Sequence, residues 1–424
     1  MPHDGGRDVM RWLGDHGADH HRAPAVIVGL GMTGLGVARS LSPYRIPLIA
    51  IDHLPRQPSS YTRLCRKILL DRRPGNDLWD VLLRLGESMQ PTRPVLILTK
   101  DTAVLEASRR REQLAPFFRF HLPGREHVDV LMDKTAFAEY AVAQGLTVPQ
   151  TFTVRGSEGW EAVAKLCPFP CIIKPKYRSA AWVGAGLPKA YRAESQDQMA
   201  HLARTLKGVE DHYVIQEFIP GPDSEVFFQL AYYDGEGQRV AAFTGRKIRQ
   251  WPPLLGSTTM AEAASSEQVD SEARRLMELV RFKGLGSVEF KRDPRDGRFK
   301  ITEATVGRPN LQSEVATANG VNIVYRAYCH LTGEEPMPEP PRGRNVRWIF
   351  VDNDLSSALH YWRRGELRIG DFLRSYRRPR YCADFSWRDP LPFVMIALRV
   401  ARKTLLRWFV PRGSTPTHDE KQVN

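Results

Sequence analysis

The sequence predicts two mixed units in succession, α/β and then α+β, followed by a basic C-terminal extension. Three observations carry this. Apolar strands alternate with helical segments through the first hundred or so residues. A hairpin signal sits near residue 234, and a proline-rich stretch, Pro336 to Pro341, precedes an arginine-rich end. The chain has 424 residues, 42% of them hydrophobic, which is enough for more than one core. Charged residues make up 26% without strong bias, which argues against a disordered, collagenous or coiled-coil chain. Cys65, Cys167, Cys171, Cys329 and Cys382 are too few and too scattered for a disulfide framework. Neither a signal-like apolar leader nor a run of about 20 apolar residues is present, so a cytoplasmic location is the expectation.

Residues 1–23 read as a flexible polar leader with His16, His20 and His21. The first unit, residues 24–125, opens with APAVIVGLGMTGLGVARSL: a buried strand at residues 25–28, a glycine turn and a helix. Further strands at 46–52 and 94–101, with a helix at 80–85 between them, predict a parallel sheet. Gly29, Gly31, Gly34 and Gly36 give G-x-G-x-x-G-x-G, and Asp52 ends the next strand at about the ~20-residue separation of a ribose-binding acid. Two readings stand open here. Glycines let backbone approach a pyrophosphate at a helix N-terminus, as in an NAD or FAD site, and any tight strand-to-helix crossing also favours glycine.

The second unit, residues 126–335, begins with one helix over 128–144 that contains Asp133 and Lys134. Strands at 171–176 and 212–219, flanking a loop and a helix at 196–206, outline a small subunit at about 150–212. In EVFFQLAYYDGEGQRVAAFTGRKI two period-two runs flank Asp234-Gly235-Glu236-Gly237, which predicts an antiparallel hairpin. A helix at 271–283 and strands at 286–293 and 299–305, joined at Asp296-Gly297, complete the unit. Cys167 and Cys171 lack a second Cys/His pair at zinc spacing and read as ordinary thiols.

The order of the chemistry-bearing residues is more specific than the glycines. Lys134 lies on a helix, and Lys174 ends the strand Ile172-Ile173-Lys174-Pro175. Gln216-Glu217-Phe218-Ile219-Pro220-Gly221 follows, then Glu225, then Glu289 and Glu303 on two strands of a hairpin. Two carboxylates so placed can face one side and share divalent cations, and magnesium favours few carboxylates with phosphate oxygens and water. From residue 25 to 333 this series resembles the ATP-grasp superfamily, specifically carboxylate–amine ligases of the D-aspartate ligase and carbamoyl phosphate synthase type.

The resemblance implies an ATP-grasp fold with an N-terminal Rossmann-like domain, a lysine-bearing lid and a larger α+β half. It assigns Lys134 and Lys174 to the nucleotide phosphates. Gln216, Glu217, Phe218 and Ile219 fall on the hinge that reads adenine, and Glu225 on the ribose. Glu289, Glu303 and Thr305 fall on the Mg2+ site, with Mn2+ as an alternative ion. Two departures stand out: Thr305 replaces the asparagine of the usual E-x-N, and the phosphate-covering loop, residues 177–186, keeps only Gly184 and Gly186 and carries Trp182. The implied reaction joins a small-molecule carboxylate to an amine through an acyl phosphate, consuming ATP and releasing ADP and phosphate. Arg308 is the first choice for binding the carboxylate or stabilising the acyl phosphate, followed by Arg246, Lys247 and Arg249. The run from Arg246 to Arg249 equally reads as an alternating strand with one solvated face. A non-catalytic nucleotide-binding adaptor and an NAD-dependent oxidoreductase are the alternatives, and a homodimer is compatible with either ligase or adaptor.

Lysine and arginine number 61 against 48 acidic residues, a formal charge of +13. From residue 341 onward 17 cations face 8 acids, so nine of those charges belong to the extension, residues 342–424. No nucleic-acid recognition motif accompanies them, and nucleic acid is not expected. Residues 391–410 mix Phe393, Ile396, Leu398, Leu405, Trp408 and Phe409 with basic residues. They read either as an amphipathic helix packed on the body or as a segment in the interface of an anionic membrane, with Trp408 and Phe409 at headgroup level. The second case makes the protein peripheral at the inner membrane face.

Overall fold

The structure, a computed structural model, describes residues 22–53, 57–71, 77–155, 159–176, 182, 185–188, 190–210, 212–254, 256–339 and 345–409, with side chains as far as 402. The leader histidines, Gly184 with most of its loop, and the side chains of Trp408 and Phe409 lie outside the described residues.

Strands β1 (Ala25–Val28), β2 (Leu48–His53), β3 (Arg66–Leu70) and β4 (Val95–Leu98) form a parallel sheet in the order β3-β2-β1-β4. Val26, Val28, Ile49 and Ile51 cluster with Leu82, Leu85 and Val104, whereas Ala25, Ile27, Leu48 and Ala50 cluster with Val37, Leu41, Tyr325 and Tyr328. Burial on both faces is why these strands read as continuous apolar runs. The edge strand β3 was not legible, because it begins with Arg66 and Lys67 and is only half-buried.

Strands β5 (Thr151–Arg155), β6 (Cys171–Pro175), β7 (Tyr191–Ala193) and β8 (His212–Glu217) make an antiparallel sheet in the order β5-β8-β6-β7. Its core holds Trp160, Tyr213 and Trp182. Trp182 is fully buried and its Nε1–H donates to the Pro188 carbonyl at 2.9 Å, so the tryptophan that looked out of place in a lid anchors this core instead. The helix expected over 128–144 is two helices, Arg125–Met132 and Lys134–Ala143. Asp133 divides them: its carboxylate accepts the N–H groups of Thr135 (2.9 Å) and Ala136 (3.1 Å) and caps the second helix. Lys134 therefore stands at a helix N-terminus.

Strands β9 (Val226–Tyr233), β10 (Arg239–Trp251), β11 (Ser257–Ala263), β12 (Gly284–Arg292), β13 (Phe299–Val306), β14 (Arg347–Ile349) and β15 (Arg380–Cys382) form one sheet in the order β13-β12-β9-β10-β11-β14-β15. The hairpin between β9 and β10 closes as its sequence requires. Asp234 Oδ1 accepts from the N–H groups of Glu236 and Gln238, and Gly237 takes φ +80°.

The region after the proline-rich linker is not an appendage. β14 pairs antiparallel with β11 and parallel with β15, so the extension supplies two strands of the central sheet. Trp348 and Ile349 of β14 are fully buried. The helix Val351–Arg363 is fixed from beneath by Asp354, which pairs with Arg249 at 2.7 Å and accepts the hydroxyls of Thr259 and Tyr376. The helix Leu391–Phe409 starts against the first unit, where Asp389 accepts from Thr62 Oγ1 (2.6 Å) and the Arg63 N–H (3.0 Å). A surplus of arginines and a strand of only three residues hid this integration from sequence reasoning.

Candidate active site

All three sheets contribute walls to one cleft of about 1050 Å³. The parallel unit presents Gly31, Thr33, Lys100 and Asp101, the small antiparallel sheet presents Lys174 and residues 216–219, and the large sheet presents Lys247, Glu289, Lys291, Glu303 and Thr305. Lys134 and Arg308 also line it, and of the predicted residues Glu225, Arg246 and Arg249 fall outside the lining.

The two carboxylates are direct cross-strand partners, Glu289 on β12 opposite Glu303 on β13. Such partners project from the same face of the sheet with Cβ atoms about 5 Å apart. A register shift follows, with Phe290 opposite Ile301; Thr302 is the extra residue, and its hydroxyl donates to the Glu289 carbonyl at 3.2 Å. Glu303 is exposed and has no ion-pair partner among the described residues. Glu289 is met by Lys247 Nζ at 2.8 Å. Burial pushes the Glu289 carboxyl upward against the pull of Lys247, and the charge of Glu303 adds to the rise.

Thr305 is buried two residues along β13, opposite Ser287, whose Oγ accepts a 3.0 Å hydrogen bond from the Asn310 carboxamide. The Asn310 carboxamide is spent locally, its oxygen accepting the Leu311 N–H at 2.7 Å. Two carboxylates and a hydroxyl form a hard oxygen donor set that suits magnesium.

Lys174 Nζ donates to Gln216 Oε1 at 3.1 Å, and the Gln216 amide donates in turn to Thr151 Oγ1 at 3.0 Å. Burial, reinforced by the neighbouring charge of Lys134, brings the Lys174 ammonium down to about 8. Lys291, also lowered to about 8 by burial, donates to the carbonyls of Gly221 (2.8 Å) and Pro222 (2.6 Å) and so latches the turn after β8 onto β12.

Several predicted residues are placed differently from their expected use. The Glu217 carboxylate is turned into a network with Arg295, Lys300 (3.1 Å) and the Gln150 N–H (3.1 Å), which pins β8 to the β12–β13 hairpin. Glu225 lies outside the lining, 3.9 Å from Arg292. Arg246 is bound at 2.7 Å to Glu262, a carboxylate it shares with Arg347 and Arg378. Arg249 is buried against Asp354, so of that basic run only Lys247 reaches the cleft. Register shifts between Lys247 and Gln250 break the alternation on which the sequence reading relied. Arg308 lines the cleft but pairs with Asp101 of the parallel unit.

Phe350 and Asn353, from the extension, also line the cleft. No local motif marks them; only the pairing of β14 with β11 brings them there.

The glycine turn is used for packing. Gly29 takes φ +98°, and a Cβ on Gly34 would lie 2.1 Å from the Gly29 carbonyl oxygen. Asp52 is almost fully buried and spent within the turn, accepting from the Leu30 N–H (2.7 Å), the His53 N–H (2.8 Å) and Lys100 Nζ (2.6 Å). Burial alone would raise its pKa, but Lys100 and the two amides hold it below the usual carboxylate range. Asp52→Asn should therefore lower stability by about 1–3 kcal/mol, read by urea denaturation, through loss of charge-assisted bonds. A folded-state pKa below the unfolded one means that this contribution is present near neutrality and fades as acid protonates Asp52. Unchanged stability would contradict the structural role.

No family model matches the sequence. D-aspartate ligase of Enterococcus faecium (strain Aus0004) is 24% identical over 367 residues, covering 80% of this chain and 85% of that protein. Among solved structures, N5-carboxyaminoimidazole ribonucleotide synthetase from Thermus thermophilus aligns with a TM-score of 0.57 at 17% identity, over 75% of this chain and 81% of that one. The chain has the ATP-grasp fold. The corresponding synthetase from Staphylococcus aureus, solved in complex with ADP, matches this chain with a TM-score of 0.57 at 13% identity, over 74% of it and 78% of the synthetase. The shared fold brings the cleft residues together in chain order: Lys134 and Lys174, the end of β8, then the carboxylate hairpin.

Proposed function

We propose that this protein is an ATP-dependent ligase that joins a carboxylate to an amine through an acyl phosphate, with release of ADP and phosphate. One observation carries the reading: the Glu289–Glu303 pair opens into the same cleft as Lys134 and Lys174. Glu289, Glu303 and Thr305 would hold Mg2+, or Mn2+, which supplies charge neutralisation to the phosphates when bound. Lys134 and Lys174 face the phosphates, while residues 216–219 form the hinge against the adenine. The Glu217 side chain serves that hinge by fixing it rather than by touching the base. Arg308, with Lys247 close to the carboxylate pair, binds and orients the substrate carboxylate so that one of its oxygens attacks the γ-phosphorus. The amine then attacks the acyl carbon and phosphate leaves. Both steps bring anions or developing negative charge together, so preorganised cations are where the rate gain arises. Phe350 and Asn353 close the substrate side, and an amino acid on that side fits the relation to D-aspartate ligase.

An ADP-release assay over a matrix of carboxylates and amines tests the reading: release should require one of each. Release of AMP would contradict it, and ATP protection against thermal unfolding without turnover of any pair would favour the nucleotide-binding adaptor.

The lowered Lys174 adds a pH prediction. Phosphate favours the ammonium form, so nucleotide binding at pH 8.5 should take up protons, and affinity should fall by up to about tenfold per pH unit above 8. Calorimetry in two buffers of different ionisation enthalpy measures the uptake. Lys174→Gln should reduce it, and an unchanged uptake would contradict the assignment.

A further inference from the structure

Thirteen large apolar side chains are exposed among the described residues: Val142, Leu166, Val240 and Met337 are spread over the body, and the other nine fall between residues 355 and 400. Single exposed apolar residues are ordinary, whereas a contiguous group marks an interaction site. On the helix Val351–Arg363 the side facing the body holds Asp354, Ser357 and Ala358, and Leu355, Leu359 and Trp362 emerge at i, i+4 and i+7, each about half exposed. The backbone N–H groups of Glu366 and Leu367 donate to the Tyr361 carbonyl and turn the chain into the helix Ile369–Ser375. There Ile369 (61%) and Leu373 (56%) are exposed one turn apart.

Residues 355–380 carry seven arginines against only Glu366 and Asp371. Arg364 and Arg374 meet those two acids in exposed contacts that hold little energy in water. Arg363, Arg368 and Arg377 have no acidic partner among the described residues.

We propose that these two helices dock the protein on an anionic phospholipid surface, with the Leu, Ile and Trp side chains entering the interface and the arginines on the headgroup phosphates. Charge complementarity selects this occupant. A second copy of the chain would set Arg363, Arg368 and Arg377 against the same three arginines, while a bilayer rich in anionic lipid meets the apolar stripes and the guanidiniums together. No helix among the described residues is long and apolar enough to cross a membrane, so the contact is peripheral. It uses different residues from the Trp408 and Phe409 segment that the sequence suggested, and it does not depend on the ligase reading.

Flotation of the full chain with phosphatidylcholine vesicles, with and without phosphatidylglycerol, tests the proposal. The protein should float with the anionic vesicles about tenfold more than with neutral ones, and added salt should release it. A Leu359→Ser/Trp362→Ser/Leu373→Ser variant and an Arg363→Glu/Arg368→Glu variant should each lose about tenfold in vesicle binding. Both should keep the wild-type melting temperature and nucleotide binding, because the altered side chains lie on the outer surface. Three results would overturn the proposal: wild-type protein that ignores anionic vesicles, variants that float as well as wild type, or concentration-dependent dimers abolished by the serine changes. The last would assign the surface to a second copy.

Discussion

Glu303→Gln should lower ligation turnover by roughly a hundred- to a thousandfold while leaving thermal unfolding unchanged. The separation of the two effects follows from its surroundings. Glu303 is exposed at the cleft and pairs with no cation among the described residues, so an isosteric amide removes the charge proposed to bind metal and little else. Glu289→Gln should cost as much activity but is a less clean change. Its carboxylate is the partner of Lys247, a side chain only 5% exposed, and the amide leaves that ammonium without its counter-ion. Glu289→Gln should therefore also lower stability, by about 3 kcal/mol if the ammonium stays charged. Steady-state rates with a melting curve for each variant check this. Wild-type turnover in Glu303→Gln would remove the metal assignment, and a large loss of stability in it would show that the residue is structural.

Arg249→Met should destabilise the protein by about 3–5 kcal/mol, the expected cost of breaking a buried ion pair from one side. Asp354 is fully buried and Arg249 nearly so, and the hydroxyls of Thr259 and Tyr376 that remain on Asp354 do not neutralise its charge. The pair joins β10 to the helix of the extension, so its loss should loosen Phe350 and Asn353 at the cleft as well as the helix itself. Arg364→Met, which breaks the exposed pair with Glu366, should change stability by less than about 1 kcal/mol and serves as the control. Urea denaturation of the two variants decides it; equal midpoints would mean that the extension is not locked in this way.

The grouping of the candidate residues was more legible in the sequence than the boundaries were. Lys134, Lys174, the hinge residues and the two hairpin carboxylates keep a fixed order because each occupies a special position on a strand or helix end, and the fold collects them in one cleft. Single-residue geometry was less accessible. Asp133 looked like one more helical residue but is a cap that starts a new helix. Arg246, Lys247 and Arg249 looked equivalent, yet bulges in β10 send them to Glu262, the cleft and Asp354 respectively. Asp52 stood at a plausible distance for a ribose ligand but closes the glycine turn on itself. The extension was the largest surprise, because a three-residue strand such as β14 has no periodicity to detect and its arginines dominate the composition.

Transfer of oxygen from the substrate carboxylate to phosphate distinguishes ligation through an acyl phosphate from its alternatives. Turnover of a carboxylate labelled with 18O in both oxygens, in the presence of its amine and ATP, should yield ADP and inorganic phosphate carrying one label, because the attacking carboxylate oxygen leaves with the phosphoryl group. Unlabelled phosphate would reduce the reaction to ATP hydrolysis, and label recovered in AMP would replace the acyl phosphate with an acyl adenylate.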